Sequence, residues 1–566
     1  MAMLRRFAEH DLRSVADLRG VWDFAYLGDV DPEGVDVRSI RFDDVMAVPG
    51  SFDCTPRYAG RRGLVAYRTR VRAKDSTPHR LVVDGLHHWG RVFVNGVQRC
   101  DHVGGFTRFN VDLTDLKAGE AEIAILADNR IDYARCPLHL GYYDWYHHGG
   151  VTRGVEFQRL GELWIESLRI ATQDFASRTV RVVLDFSATR PGPAVPVTLS
   201  VDGRVLVEEQ LQVQASRGRV EWTLRLADAA LWSPEAPHLH LLHARLGDDD
   251  LRERFGIRQV RVDGPRILIN DRPQRLLGYN RHEVHPLFGH GSAEQCFVQD
   301  VQLLKDLNCN FVRGSHYPQD RRFLDLCDEV GLCVWSEAIG WQNTAEHLND
   351  RRFLDAQRAH MDEMVADAFN HPCVILWGLL NEGNSHDEKC RAGYEELCAH
   401  LRGLDATRPL TFASNHPLDD RCLDLADVIS LNLYPGWYQY EIEETPDVLD
   451  QAVSLQDRKG YANKPIIVSE IGAEGLYGWR DWNGDRWSEQ YQARLVETVI
   501  RRLFVERQRV CGLSLWLFND FRSMEGPRPA VGRGRGYNNK GVVDEYRRPK
   551  LSYEVVKRLF GELARN

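Results

Sequence analysis

The pattern of apolar and polar positions changes rhythm near residue 262. Before it, short runs alternate with a period of two: Gly63–Val71, Arg91–Gly96 and Ala121–Ala127. Turn residues separate them, which predicts antiparallel sandwich strands and not strand–helix units. A second set comprises Leu163–Leu168, Thr179–Leu184, Val197–Val201 and Val220–Leu224. It covers about one hundred residues, the size of one immunoglobulin-like sandwich.

From residue 263 onward, continuous apolar runs alternate with amphipathic helical stretches such as Phe297–Lys305 and Tyr491–Glu497. Eight candidate strands are expected, at 275–280, 311–315, 332–337, 374–380, 409–413, 428–433, 465–470 and 511–517. Eight strands with intervening helices predict a (β/α)8 barrel. The expected fold is therefore multidomain: two β-sandwiches followed by a C-terminal α/β barrel, the TIM architecture.

Composition narrows the picture without changing it. The 566 residues are 43% hydrophobic and 27% charged, with a formal net charge of -10. Such a surface does not suit a general nucleic-acid binder, which needs basic charge to displace counterions from phosphates. The run Gly532–Gly536, Gly-Arg-Gly-Arg-Gly, reads as a mobile loop and not as an RNA-binding tract. No apolar run suits a signal peptide or a membrane span. The 12 cysteines lack paired spacing and read as reduced thiols, consistent with a cytoplasmic protein.

In a barrel of this kind, catalytic groups project from the carboxyl ends of the strands. The fourth strand runs into Asn381-Glu382 and the seventh into Glu470. Strands four and seven face each other across the mouth of a closed barrel. Two facing carboxylates are what glycosidic cleavage needs, one to protonate the leaving oxygen and one to attack the anomeric carbon. Neighbouring strand ends offer His316, Asn432, Tyr434 and Trp516. His282-Glu283 and His285 do not have the His-Glu-x-x-His zinc spacing, so they read as pocket wall or structure and no metal is expected. No cofactor is expected either.

The segment Trp377-Gly378-Leu379-Leu380-Asn381-Glu382 resembles the acid/base motif of glycoside hydrolase family 2. Val468-Ser469-Glu470-Ile471-Gly472 resembles its nucleophile motif. The resemblance spans nearly the whole chain, including Asp17–Trp22, Val48–Phe52, Gly278–Glu283 and Arg313–Pro318. It implies a sugar-binding jelly-roll sandwich over 1–161, an immunoglobulin-like sandwich over 162–262 and a catalytic barrel over 263–566.

Within the family, Tyr537-Asn538-Asn539-Lys540-Gly541 resembles the Asn-x-Lys signature of the β-glucuronidases. A lysine ammonium can pair with the C6 carboxylate of a uronic acid while Asn538 adds an amide donor. A neutral sugar would leave a desolvated Lys540 without that partner. The resemblance further implies that Asn381 bonds the sugar 2-hydroxyl and that Tyr434 orients the nucleophile. Asn432 and Tyr438 would line the pocket near the sugar, and Asp144, inserted from the first sandwich, would bind sugar hydroxyls. His316 and Trp516 would complete the pocket. The implied reaction is retaining release of β-linked D-glucuronic acid from a small-molecule or oligosaccharide glucuronide. In it Glu470 attacks, and Glu382, its pKa raised by the neighbouring charge, serves as acid and then base.

A β-galacturonidase is the nearest alternative, a β-galactosidase less so, and a non-catalytic carbohydrate-binding relative is an alternative of another class. A homo-oligomer, dimer or tetramer, is implied by resemblance. Three departures stand out: Gly383 where many relatives carry proline, Ile471 where glucuronidases often have tyrosine, and a short connection from Gly340 to Asp350.

Overall fold

The structure, a computed structural model, describes residues 7–133, 135, 138–523 and 533–565. Gly532 of the Gly-Arg run lies outside the described residues. Residues 14–159 form two large antiparallel sheets, one of four strands and one of six, and a two-stranded pair of Leu86–His87 with Gly150–Val151. Their facing sides bury Phe24, Tyr67, Leu81, Val83, Val92, Val111, Ile123 and Ile125. In Gly119–Asp128 the pairing with Leu64–Ala73 puts Ile123 opposite Thr69 and Ile125 opposite Tyr67. The two-residue alternation seen in the sequence thus becomes one buried face.

A second pair of antiparallel sheets, of three and four strands, spans Leu163–Phe255. In Thr179–Ala188 the residues Val180, Val182, Leu184 and Phe186 all point into its core. Arg258 ties this unit to the barrel by donating to the carbonyls of Pro372 and Val374.

The barrel closes in sequence order. Its strands are β1 (Leu276–Arg281), β2 (Phe311–Gly314), β3 (Cys333–Glu337), β4 (Val374–Asn381), β5 (Leu410–Ser414), β6 (Ile429–Asn432), β7 (Ile466–Glu470) and β8 (Gly512–Leu515). All neighbouring pairs are parallel, including β1 with β8. Every residue of these strands is buried. Burial on both faces explains why they read as unbroken apolar runs. The connection after β3, short in the sequence, carries a helical turn, Ala345–Leu348.

An apolar seam fastens the first sandwich over the barrel mouth. Leu138, Tyr143 and Trp145 of the sandwich pack with Tyr317, Ile339, Trp516 and Phe521 of the barrel. Phe106 stacks on Tyr317 with centroids 3.7 Å apart. Arg153 donates to Glu283 at 3.0 Å across the same junction, so Glu283 has a structural partner. Asp144 is carried into the mouth on this anchored segment.

Candidate active site

The barrel mouth opens into a cleft of about 1230 Å³. It is lined by Asp144, His316, Asn381, Glu382, Asn432, Tyr434, Tyr438, Glu470, Trp516 and Asn538, ten of the eleven residues singled out in the sequence. The eleventh, Lys540, lies behind that wall with its side chain fully buried.

Glu470, the last residue of β7, is nearly enclosed. Its Oε1 accepts from Arg313 Nη1 at 2.8 Å and its Oε2 from Tyr434 Oη at 2.7 Å. Burial pushes its carboxyl up to about 8; the charge of Glu382 adds to this, while Arg313 and Tyr434 oppose it. The sequence placed the raised carboxyl at the acid/base position; the structure raises the nucleophile candidate. Two interacting acids share their protons as a pair, so the titration belongs to the site as a unit.

Glu382 follows β4 directly and has φ of 52°, a left-handed conformation that side chains other than glycine rarely adopt. Its Oε1 accepts from Asn432 Nδ2 at 2.9 Å and its Oε2 from Gln342 Nε2 at 3.1 Å. Asn432 thus holds a carboxylate as well as lining the pocket. The same amide reaches Asn381 Oδ1 at 3.1 Å, while Asn432 Oδ1 accepts from Ser469 at 2.7 Å. Gly383 fits its place because a Cβ there would lie 2.4 Å from the hydroxyl of buried Tyr394.

Arg313 and Glu337 were not singled out in the sequence. Arg313, on β2, is fully buried and grips Glu337, on β3, at 2.8 and 2.9 Å. It also donates to Asn280 at 3.1 Å and Asn381 at 2.9 Å and lies over the Trp335 ring. One guanidinium therefore joins β1, β3, β4 and β7. His316 Nδ1 lies 3.2 Å from Arg313 Nη2 and 3.1 Å from Glu337 Oε1. Burial, then the Arg313 charge, push its pKa well below the ordinary range, which favours the neutral imidazole. Its ring stacks on Trp516 with centroids 5.2 Å apart.

A second charged group closes the other end of the cleft. Lys540 Nζ donates to Glu474 Oε1 at 2.9 Å and to Tyr438 Oη at 3.1 Å. Arg533 donates to both oxygens of Asp144, at 3.2 and 2.7 Å, and to Glu474 at 2.8 Å. Asn538 Nδ2 reaches Asp144 at 3.2 Å. Asp520 accepts the Gly541 N–H at 2.8 Å and pairs with Lys550 at 2.7 Å, which fixes the turn carrying Asn538 and Lys540.

Two sequence-based readings change here. Lys540 does not depend on a substrate carboxylate for a partner, because Glu474 supplies one. The Gly-Arg run is not a free loop over its described part: Arg533 belongs to the cleft wall, and Arg535 pairs with Glu545 at 2.9 Å. His282 lines the cleft with its Nδ1 3.2 Å from the Tyr317 hydroxyl. The sequence signal that could have revealed Glu474 is its spacing, four residues beyond Glu470 in the loop that follows β7.

A parallel barrel that presents two carboxylates, amide donors and aromatic walls at the carboxyl ends of its strands has the site of a glycosidase. Residues 260–564 match the TIM barrel domain of glycosyl hydrolases family 2, and the chain belongs to that family. It is 28% identical to a β-glucuronidase of Paenibacillus borealis, with 97% of each chain covered. It is 29% identical to the β-glucuronidase of Rattus norvegicus, covering 92% of this chain and 85% of that one. Among solved structures, a family 2 β-galacturonidase from Eisenbergiella tayi, bound to galacturonate, superposes with a TM-score of 0.92 at 32% identity, covering 99% of each chain. A Faecalibacterium prausnitzii β-glucuronidase gives 0.86 at 25% identity, covering 98% of this chain and 99% of that one.

Proposed function

We propose that the protein releases β-linked D-glucuronic acid from glucuronides by double displacement. The observation that carries this reading is the donor cluster at one end of the cleft, where Arg533 and Asn538 line the wall and Lys540 stands behind them, the two cations held in place by Asp144 and Glu474. A guanidinium and an oriented amide are donors suited to a carboxylate. The names of the relatives point to the same sugar class.

In the first step Glu470 attacks the anomeric carbon as Glu382 protonates the leaving oxygen. In the second, Glu382 accepts a proton from the water that cleaves the glycosyl-enzyme. Only the ionised form of Glu470 can attack, so the Arg313 and Tyr434 contacts that favour its anion support the first step. Asn381 is assigned to the sugar 2-hydroxyl, Asp144 to further hydroxyls and Trp516 to the apolar face of the ring.

The test compares kcat/KM for 4-nitrophenyl β-D-glucuronide and β-D-glucoside in the wild type and in Lys540→Ala and Arg533→Ala. The reading expects losses on the glucuronide that exceed those on the glucoside by at least about tenfold. Equal losses would show that neither cation reads a carboxylate. A galacturonide is the second reading, favoured by the TM-score of 0.92 to the galacturonidase. The two sugars differ at C4, and a carboxylate clamp does not report that centre. The 4-nitrophenyl galacturonide belongs in the same panel.

We also propose a homo-oligomer, dimer or tetramer, supported by Trp482, fully exposed, beside partly exposed Tyr477 and Trp479 on one loop. Light scattering on the purified chain tests it; a monomer at micromolar concentration contradicts it. A cytoplasmic location is supported by eleven described cysteines that are all free. No described helix is long and apolar enough to cross a membrane.

A further inference from the structure

The first sandwich carries a cluster of side chains that the cleft does not use. Asp53 and Cys54 stand on the short helical turn Phe52–Cys54, and His148 follows Asp144 on the segment that enters the cleft. Asp53 Oδ1 and Cys54 Sγ each lie 3.3 Å from His148 Nδ1, and the three atoms fall within 4.8 Å of one another. Asp53 and His148 are buried, while Cys54 is partly exposed, which gives an ion a way in from solvent.

A hydrogen bond between an imidazolium and a carboxylate normally closes to about 2.7–2.9 Å. The separation of Asp53 and His148 is longer than that. It matches the edge of a tetrahedron around zinc instead. Metal bonds of about 2.0–2.3 Å put a ligating nitrogen about 3.4 Å from an oxygen ligand and about 3.6 Å from a sulfur. Asn129 Nδ2 donates to Asp53 Oδ2 at 3.3 Å, and the Gly149 N–H approaches Oδ1 at 3.4 Å. Such outer hydrogen bonds orient a ligating carboxylate.

The charges around the cluster also fit a divalent cation. Burial opposes charge on His148, but Asp53 and then Cys54 outweigh it and hold the imidazole up to about 9. Without metal, an imidazolium therefore balances Asp53. With metal, the Asp53 carboxylate and the Cys54 thiolate cancel a divalent ion, so the buried group carries no net charge in either state. His290, its ring 5.5 Å from that of His148, is pushed down to about 3, by burial first and then by His148. His87, His88 and His147 are pushed well below the ordinary range, each by burial first. Arg62 is turned to the carbonyls of Asn129 and His147 and to the Tyr146 ring. Two other groups of this kind occur among the described residues, and both are closed. His371 Nδ1 already bonds Asp328 Oδ2 at 2.6 Å, and Asp250 accepts the backbone N–H groups of Asp11, Leu12 and Arg13.

We propose that Asp53 Oδ1, Cys54 Sγ and His148 Nδ1 form a zinc site that fastens the Asp144 segment to the body of the first sandwich. The mixed sulfur, nitrogen and oxygen set suits zinc and not calcium or magnesium. Binding exchanges protons for metal. The imidazolium and the thiol each release one proton, the freed nitrogen and sulfur pairs bond the ion, and water fills the fourth position. His282 and His285 take no part, and the hydrolytic steps do not depend on this site.

The test adds zinc or cobalt to chelator-stripped protein and measures the metal retained per chain after gel filtration. The wild type should retain one zinc per chain and, with cobalt, show the near-ultraviolet band of a thiolate–cobalt bond. Cys54→Ser should lose that band. Cys54→Ser and His148→Gln should each bind zinc at least about tenfold more weakly, the loss seen even when a partner of a ligand is removed. Wild-type affinity should fall between about pH 8 and about pH 6, because protons compete for the ligands. Zinc should also raise the wild-type melting temperature by roughly a few degrees over the chelated protein, a readout that does not require either variant to fold. A wild type that retains no stoichiometric zinc, a melting temperature unmoved by zinc, or binding unchanged in both variants would overturn the site.

Discussion

Arg313 and Glu470 share a buried hydrogen bond of 2.8 Å, made by a guanidinium that also grips Glu337 from β3. The positive charge at the floor of the barrel is therefore committed to two carboxylates, and only one of them lines the cleft. Replacing Arg313 with glutamine should leave both acids short of a partner. Breaking a buried ion pair in this way costs about 3–5 kcal/mol of stability. Urea denaturation of Arg313→Gln checks this, and its kcat should fall by at least about a hundredfold, the scale seen when an oriented electrostatic contact is lost. Wild-type stability with wild-type kcat would show that Arg313 is dispensable.

The pH profile follows from the same carboxylate. Glu470 is raised to about 8, and it attacks only when ionised, so kcat/KM should climb as pH rises through the neutral range. Tyr434 donates to the anion at 2.7 Å and pulls this value down. Tyr434→Phe should then move the acidic limb to higher pH. A hydrogen bond to a charged group is worth about 1.5–3 kcal/mol, which corresponds to a shift of roughly one to two pH units. An unmoved limb would mean that Glu470 does not set it.

Gly383 and Tyr394 form a steric pair beneath Glu382. A Cβ at 383 would meet the Tyr394 hydroxyl at 2.4 Å. Gly383→Ala should cost about 1–3 kcal/mol through overpacking. Tyr394→Phe, which deletes the obstructing oxygen, should recover most of that loss in the double variant. Additive effects of the two changes would contradict the contact.

Asp144 reaches the cleft from the first sandwich and touches both Arg533 and Asn538. Asp144→Asn keeps the shape but removes one of the two carboxylates that Arg533 pairs with. The uronide KM should change severalfold with little change in melting temperature, because the seam of Tyr143, Trp145 and Tyr317 is untouched. A large fall in melting temperature would instead make Asp144 a structural fastener.

The barrel was legible because its strands are buried on both faces. Val374–Leu380 and Ile466–Val468 are apolar throughout, and each ends in polar residues that include a glutamate. That break from apolar to acid marked Glu382 and Glu470 before any distance was known. Arg313 and Glu337 gave no comparable signal, since a charged residue in a strand declares its purpose only beside its partner on the next strand. Arg533 was harder still. Its partner Asp144 lies 389 residues away in the chain, so the glycines on either side of it suggested a loose loop. Lys540 was found by its motif, but Glu474, which neutralises it, had none.

The central claim is that Glu470 attacks the sugar and Glu382 transfers the proton. Azide rescue of Glu470→Ala and Glu382→Ala, with an activated aryl glucuronide, tests it through the anomer formed. Without its nucleophile, the Glu470 variant should regain turnover by direct attack of azide and release the α-glucuronosyl azide. The Glu382 variant should still form the glycosyl-enzyme and release the β-azide. A β-azide from the Glu470 variant, or full activity of either variant without azide, would contradict the assignment.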